Sequence, residues 1–149
     1  MKEIKGNILD TTYGIIGHQV SCRLNMHFGL AREIKKLWPH VESEMHEIMS
    51  GGSDSRRLGR CQMVEIRRTQ LYVANLFAQV NNTPLHKLHT DYTALGMALR
   101  NLRRWRDRMA GPDFPIYLPF ELGTKEGGSD WRVVYGIIRD AIPDAVIVR

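Results

Sequence analysis

Residues 13–20 read YGIIGHQV, a near-continuous apolar run of the kind expected for a strand buried on both faces. A short polar turn precedes it, and a loop containing Gly29 and an amphipathic helix follow it. Together residues 6–31, GNILDTTYGIIGHQVSCRLNMHFGLA, describe the βα crevice in which open α/β sheets bind phosphorylated ligands. This stretch is expected to be the ligand site.

The rest of the chain supplies matching elements. Residues 2–9 read as a first strand carrying Ile4, Ile8 and Leu9, broken by the polar Asp10-Thr11-Thr12. From Leu30 the apolar positions Leu30, Ala31, Ile34, Leu37, Trp38 and Val41 fall at helical spacing, with Arg32, Glu33, Lys35 and Lys36 turned outward. Pro39 bends or ends that helix, and residues 42–49 form another short one. Residues 50–55, SGGSDS, read as a surface loop. CQMVEIRR alternates with a period of two, and LYVANLFAQV is rich in β-formers, so two strands follow. Thr90 or Asp91 caps a long helix whose buried stripe is Tyr92, Leu95, Leu99, Leu102 and Met109, and Gly111-Pro112 stops it. PIYLPF is another buried strand. Ser129 or Asp130 caps a last helix with Trp131, Val134, Tyr135, Ile138 and Ile142 inward, and AVIVR closes as a strand. Alternation of strands and helices over most of the length argues for a mostly parallel sheet flanked by helices.

At 149 residues the chain fits one domain with a single core, residues 1–149. No apolar run approaches the roughly 20 residues that span a bilayer, and MKEIKGN lacks the apolar segment of a signal peptide. A cytoplasmic protein without membrane attachment is expected. Cys22 and Cys61 show no C-x-x-C spacing, and His40, His46, His86 and His89 show no metal-ligand spacing, so no metal or redox cofactor is implied. The net charge of +5 is concentrated, with Arg100, Arg103, Arg104, Arg106 and Arg108 on one helix and Arg56, Arg57 and Arg60 in one loop. Such a field attracts an anion, nucleotide or nucleic acid, although an arginine-rich helix is also commonly a solvated face.

Two segments place glycine and polar residues between a strand and a helix: RLNMHFGLA and ELGTKEGGSDW. Both feed helix N-termini, where free N–H groups and the helix dipole favour phosphate. Two such loops facing each other would clamp a diphosphate; alternatively their glycines simply make tight turns. His18 lies within the buried strand, where a satisfied core histidine is the ordinary finding, and Asp130 before Trp131 reads most simply as a helix cap.

GNILD, HQVSCRLNMHFGLAREIKKLWP, LYVANLFAQ and LPFELGTKEGGSDWRVVYGII, taken in order over nearly the whole chain, resemble the macro domain family. Within it they are most similar to small stand-alone proteins related to terminal ADP-ribose glycohydrolase and to ADP-ribose 1''-phosphate phosphatases, including phage and bacterial members. The resemblance implies a three-layer α/β/α fold with a mixed, mostly parallel central sheet and an ADP-ribose cleft. It implies that Asn7 meets the adenine amino group and that Ile8 lines the adenine pocket. Ser21 then lies near the distal ribose, and Met26, Gly29, Leu30 and Ala31 belong to the M-G-x-G-[IL]-A loop around ribose and phosphates. Pro119 ends the strand before the second phosphate loop, which comprises Leu122, Gly123, Thr124, Lys125, Glu126 and Gly127 and ends at Gly128, Asp130 and Trp131. Phe120 is an aromatic able to stack on adenine.

The departures are specific. His27 and Phe28 stand where the family keeps a bare glycine and its neighbour, and Lys125 brings a charge beside the expected diphosphate. The lysine and aspartate of the glycohydrolase branch are not evident in Gln79-Val80-Asn81-Asn82 or Glu126-Gly127-Gly128. Binding of ADP-ribose or a phosphorylated derivative is therefore expected, with hydrolysis of ADP-ribose 1''-phosphate as the activity and His27 and Lys125 as its catalytic candidates. A non-catalytic ADP-ribose reader, an ADP-ribosyl hydrolase acting on macromolecules and a basic nucleic-acid-binding protein are the alternatives.

Overall fold

The computed structural model describes residues 1–81, 83–84 and 87–149; Asn82 and His86 lie outside the described residues. The elements run β1 (Lys2–Ile4), β2 (Tyr13–Ser21), α1 (Gly29–Leu37), α2 (His40–Met49), α3 (Asp54–Arg57), β3 (Cys61–Ile66), β4 (Gln70–Gln79), α4 (Tyr92–Met109), β5 (Ile116–Pro119), α5 (Trp131–Ala141) and β6 (Val146–Val148). They build one six-stranded sheet in the order β1-β6-β5-β2-β4-β3. All neighbours pair in parallel except the antiparallel β3–β4 hairpin.

Strand β2 is the centre of this arrangement. Its Ile15 packs with Leu95, Leu99 and Leu102 of α4 and with Val134 and Ile138 of α5. The next residue, Ile16, packs with Ile34 of α1 and with Val41 and Met45 of α2 on the opposite face. Both faces are dry, which is why the run lacks a polar alternation. Asp91 caps α4 by accepting the Ala94 N–H at 2.9 Å, and Asp130 caps α5 by accepting the Arg132 N–H at 2.9 Å. No helix among the described residues is long and apolar enough to cross a membrane.

Four local expectations change. The strand expected over residues 2–9 ends at Ile4, and Ile8–Asp10 form a 3₁₀ turn because the Asn7 side chain accepts the Leu9 N–H at 3.0 Å. The loop over residues 50–55 runs into the single helical turn α3. In α4, Met109 is 65% exposed, whereas Arg106 is 2% exposed. The apolar stripe of Leu95, Leu99 and Leu102 continues by a step of four, and that step lands on Arg106.

The two arginine clusters are therefore not uniformly free. Arg106 donates to Phe114 O at 3.0 Å, to both carboxylate oxygens of Asp144 at 2.7 and 3.2 Å, and to Asp107 at 2.6 Å. It thereby pins the end of α4 to the turn before β6. Arg57 donates to four main-chain carbonyls, those of Met49, Cys22, Ser50 and Gly52, at 2.7 to 3.0 Å.

The hydrogen bonds from Arg106 hold the Asp144 carboxyl below its ordinary value of 3.8. A lowered folded-state pKa stabilises the fold above the ordinary value, and the contribution is lost as the pH falls through the folded one. Asp144→Asn is expected to destabilise by about 1–2 kcal/mol at neutral pH, a buried-pair loss reduced by the exposure of Asp144 and by the remaining bond to Asp107. Thermal unfolding across pH checks this: the gap between wild type and variant should narrow below pH 3.8.

Candidate active site

Parallel pairing brings the carboxyl ends of β1, β6, β5, β2 and β4 to one edge. After β2 the chain winds through α1, α2 and α3 to β3 and β4 on one side; after β4 it crosses by α4 to β5 on the other. The winding direction reverses at β2, and a crevice opens outside its carboxyl end. A cleft of about 220 Å³ lies there, between the segment leading into α1 and the segment between β5 and α5.

The first wall is built on Ser21, where a bulge interrupts the β2–β4 register. The Ser21 hydroxyl donates to Val80 O at 2.9 Å and accepts the Arg23 N–H at 3.0 Å. Glu42 accepts the Met26 N–H at 3.0 Å while its other oxygen pairs with Lys35 at 3.1 Å, which ties the loop to α2. Helix α1 then opens with Gly29 at φ +55° and no side-chain cap. Its first ladder bond runs from the Arg32 N–H to Phe28 O, so the N–H groups of Gly29, Leu30 and Ala31 are free of helical partners at the mouth.

The second wall is held from beneath. The Gln19 amide nitrogen donates to Gln79 Oε1 at 2.7 Å and to Thr90 Oγ1 at 2.8 Å. Thr90 Oγ1 also accepts from Ser129 Oγ at 2.6 Å and donates to Gly123 O at 3.4 Å. Gly127 O accepts the N–H groups of His89 and Thr90 at 2.7 and 3.0 Å. A Cβ at Gly127 would strike Gly123 O and Thr90 Oγ1 and lie 2.7 Å from Gln19 Nε2, so only glycine fits there. The loop returns towards α1 at Glu126, whose carboxylate oxygen would sit 3.0 Å from a Cβ on Gly29. A negative group thus stands at the positive end of α1.

The cleft brings together Ser21, His27, Gly29, Leu30, Ala31, Pro119, Leu122, Gly123, Lys125, Glu126 and Gly127 of the expected site residues. His27 and Lys125 are both exposed and both line it. Phe28 stands at the mouth, 38% exposed, with its ring edge-to-face to His27 at 6.3 Å. Four residues lie elsewhere. Met26 is turned into the core at 1% exposure, and Ile8 is buried at 7%. Thr124 turns its hydroxyl back onto Glu121 O at 2.8 Å. Asn7 lines a second, more open depression of about 390 Å³ with Lys5, Asp10, Tyr117 and Val148. The linings of the two hollows meet where Phe120 of the cleft donates its N–H to Val148 O of the depression at 2.8 Å. Phe120 also packs edge-on to Trp131 at 5.1 Å and lies under the Arg149 guanidinium at 4.2 Å.

Gln19, Gln79 and His18 also line the cleft and were not among the expected site residues. Their signal was polarity inside otherwise apolar strands, where each polar group needs a buried partner. His18 is 2% exposed, and burial lowers its pKa to about 4, against a smaller opposing effect of Asn75, so it is neutral. Cys22 is fully buried, and burial, reinforced by Asp54, pushes its thiol up to about 11, which disfavours the thiolate.

No family model matches the chain, and no curated protein matches it by sequence. Solved structures match it closely in shape. The macrodomain of Mycobacterium tuberculosis DarG superposes with a TM-score of 0.80 at 18% identity, covering 99% of this chain and 95% of that one. The fold is that of the macrodomains. A macrodomain protein from Streptomyces coelicolor matches at TM-score 0.71 and 22% identity, over 99% and 96% of the two chains. Thermosipho africanus DarTG, determined in complex with ADP-ribose, matches at TM-score 0.79 and 13% identity over 99% of this chain and 41% of that longer one.

The packing at Gly127 yields a direct test of how the second wall of this macrodomain fold is held. Gly127→Ala is expected to cost about 1–3 kcal/mol, the usual range for overpacking. Denaturant unfolding checks it, and hydrogen exchange should show lost protection at the Thr90 N–H, which donates to Gly127 O.

Proposed function

We propose that this chain binds ADP-ribose along its cleft and hydrolyses ADP-ribose 1''-phosphate to ADP-ribose and phosphate. The observation that carries the reading is the pair of loops facing each other across the carboxyl end of β2, with the free N–H groups of α1 on one side and Lys125 on the other. Backbone N–H groups and a lysine suit phosphates, and the adjoining depression at Asn7 suits a purine, whose amino group the Asn7 carbonyl can accept. The ADP-ribose held by the Thermosipho protein, which shares this fold, lends further support.

In the proposed reaction water attacks the terminal phosphorus and the bond to the ribose C1'' oxygen breaks. His27 moves the proton, and Lys125 with the loop N–H groups stabilises the charge that develops on the phosphoryl oxygens. The Glu126 carboxylate beside Gly29 favours a second reading, in which an anion already standing at α1 keeps out a terminal phosphate and the chain is a reader of ADP-ribose.

Calorimetry and phosphate release separate the two. A Kd for ADP-ribose in the micromolar range, about −8 kcal/mol, is expected, with phosphate released from ADP-ribose 1''-phosphate and the rate falling about 100-fold or more in His27→Ala. Unchanged turnover in that variant removes His27 from the mechanism. Binding without release leaves the reader, and absence of binding sinks both.

A further inference from the structure

Strand β3 is the outermost strand of the sheet, and its outer edge pairs with no strand among the described residues. At about 3.3 Å per residue, Cys61–Ile66 extend over about 20 Å. Arg60 stands at one end, Arg67 and Arg68 at the other, and all three are exposed. Helix α4 adds to the same edge. Met97, Asn101, Arg104 and Arg108 follow one another at helical steps of three or four and so share one face. That face is fixed against the turn before β3: Asn101 Nδ2 donates to Gly59 O at 3.3 Å, and Arg104 Nη1 donates to Asn101 Oδ1 at 3.0 Å. Further along, Trp105 packs edge-to-face on Tyr72 at 5.0 Å, and Tyr72 is the register partner of Glu65 in β3.

Several other guanidiniums are already matched: Arg57 with Asp54, Arg103 with Asp107, Arg106 with Asp144 and Arg139 with Asp140. Arg60, Arg67, Arg68, Arg104 and Arg108 are in no ion pair among the described residues, and Glu65 is the one acidic residue across residues 60–72. A row of like charges left uncompensated attracts a polyanion. Guanidinium forks fit carboxylate and phosphate alike, so the charges alone admit an acidic peptide or a nucleic acid. The rings decide between them. Trp105 and Tyr72, each partly exposed, lie beside the arginines and offer a base a surface to stack on. A single row of guanidiniums along one strand matches one phosphate backbone, not the two of a duplex. We propose that the β3 edge and the outer face of α4 form a docking surface for single-stranded nucleic acid, with phosphates at the five arginines and bases at Trp105 and Tyr72. None of these residues lines the cleft, so the surface stands independently of the ADP-ribose reading.

Fluorescence anisotropy with a labelled single-stranded oligonucleotide of about 20 residues tests this over a salt series from about 50 to about 300 mM. For wild type, log K against log salt should fall with a slope of about −3.5, from about −0.7 for each phosphate held by an arginine. Arg104→Glu with Arg108→Glu, and separately Arg67→Glu with Arg68→Glu, should each weaken binding about tenfold or more and flatten the slope by about 1.4. Lys36→Glu with Arg139→Glu changes the net charge equally at exposed positions on α1 and α5 and should leave the slope unchanged. An equal loss in that pair, absence of binding by wild type, or a slope near zero overturns the proposal. Tighter binding of the matching duplex, or of poly-glutamate of equal charge, also overturns it and makes the edge a duplex or an acidic-protein surface instead.

Discussion

Strand β2 carries the structure because it is dry on both faces and yet ends in adjacent polar residues, one facing each way. His18 is anchored through Asn75 and Gln62 to the Glu44 carbonyl of α2. Gln19 donates to Gln79 and to Thr90, and Thr90 links it to Ser129 and Gly123 in the second loop. A buried polar group without a partner costs about 1–3 kcal/mol, so each relay favours the arrangement of elements that supplies these partners, while His18 Nδ1 and Gln19 Oε1 stay without one among the described residues. One relay ends at α2 and the other in the second loop, and both His18 and Gln19 line the cleft.

The same logic explains the glycines of the second wall. Thr90 Oγ1 and Gln19 Nε2 approach the backbone at Gly127 closely enough that a methyl group has no room. The loop is therefore shaped by what lies beneath it, the ends of β2 and β4, as much as by its own turn preferences. A wall held this way is preorganised before any ligand arrives, which is what a site built from main-chain N–H groups requires.

The doubly buried strand, the capped helices and the two loops were legible because each is written locally, in apolar runs, in Asp91 and Asp130 before helical patterns, and in glycine clusters after strands. The partnership of Gln19 with Thr90 was not, because the two residues are 71 positions apart and only the β2–β4 pairing and the turn into α4 bring them together. Arg106 was hidden by its type: an arginine in an arginine-rich helix reads as solvated until Asp144 and Phe114 O are seen to surround it. The turn at Ile8–Asp10 was hidden by competition, since Asn7 offers the backbone an alternative to continuing the strand. The family resemblance found the two walls but not the floor, where His18 and Gln19 lie.

Charge in the cleft follows from which groups are already engaged. Arg57 beneath the first loop serves main-chain carbonyls, and Arg23 pairs with Asp54 at 3.3 Å, so neither guanidinium is a free anion receptor. Among the described residues that line the cleft, the open end of α1, His27 and Lys125 face an entering anion. Helix α1 has no acidic residue in its first turn and no side-chain cap, and the carboxylate of Glu126 in the opposite loop stands beside Gly29 at its positive end. A phosphate entering the same place meets N–H groups already aimed at it but has to displace a carboxylate, so the affinity of the cleft for anions is the difference between two negative groups competing for one helix end.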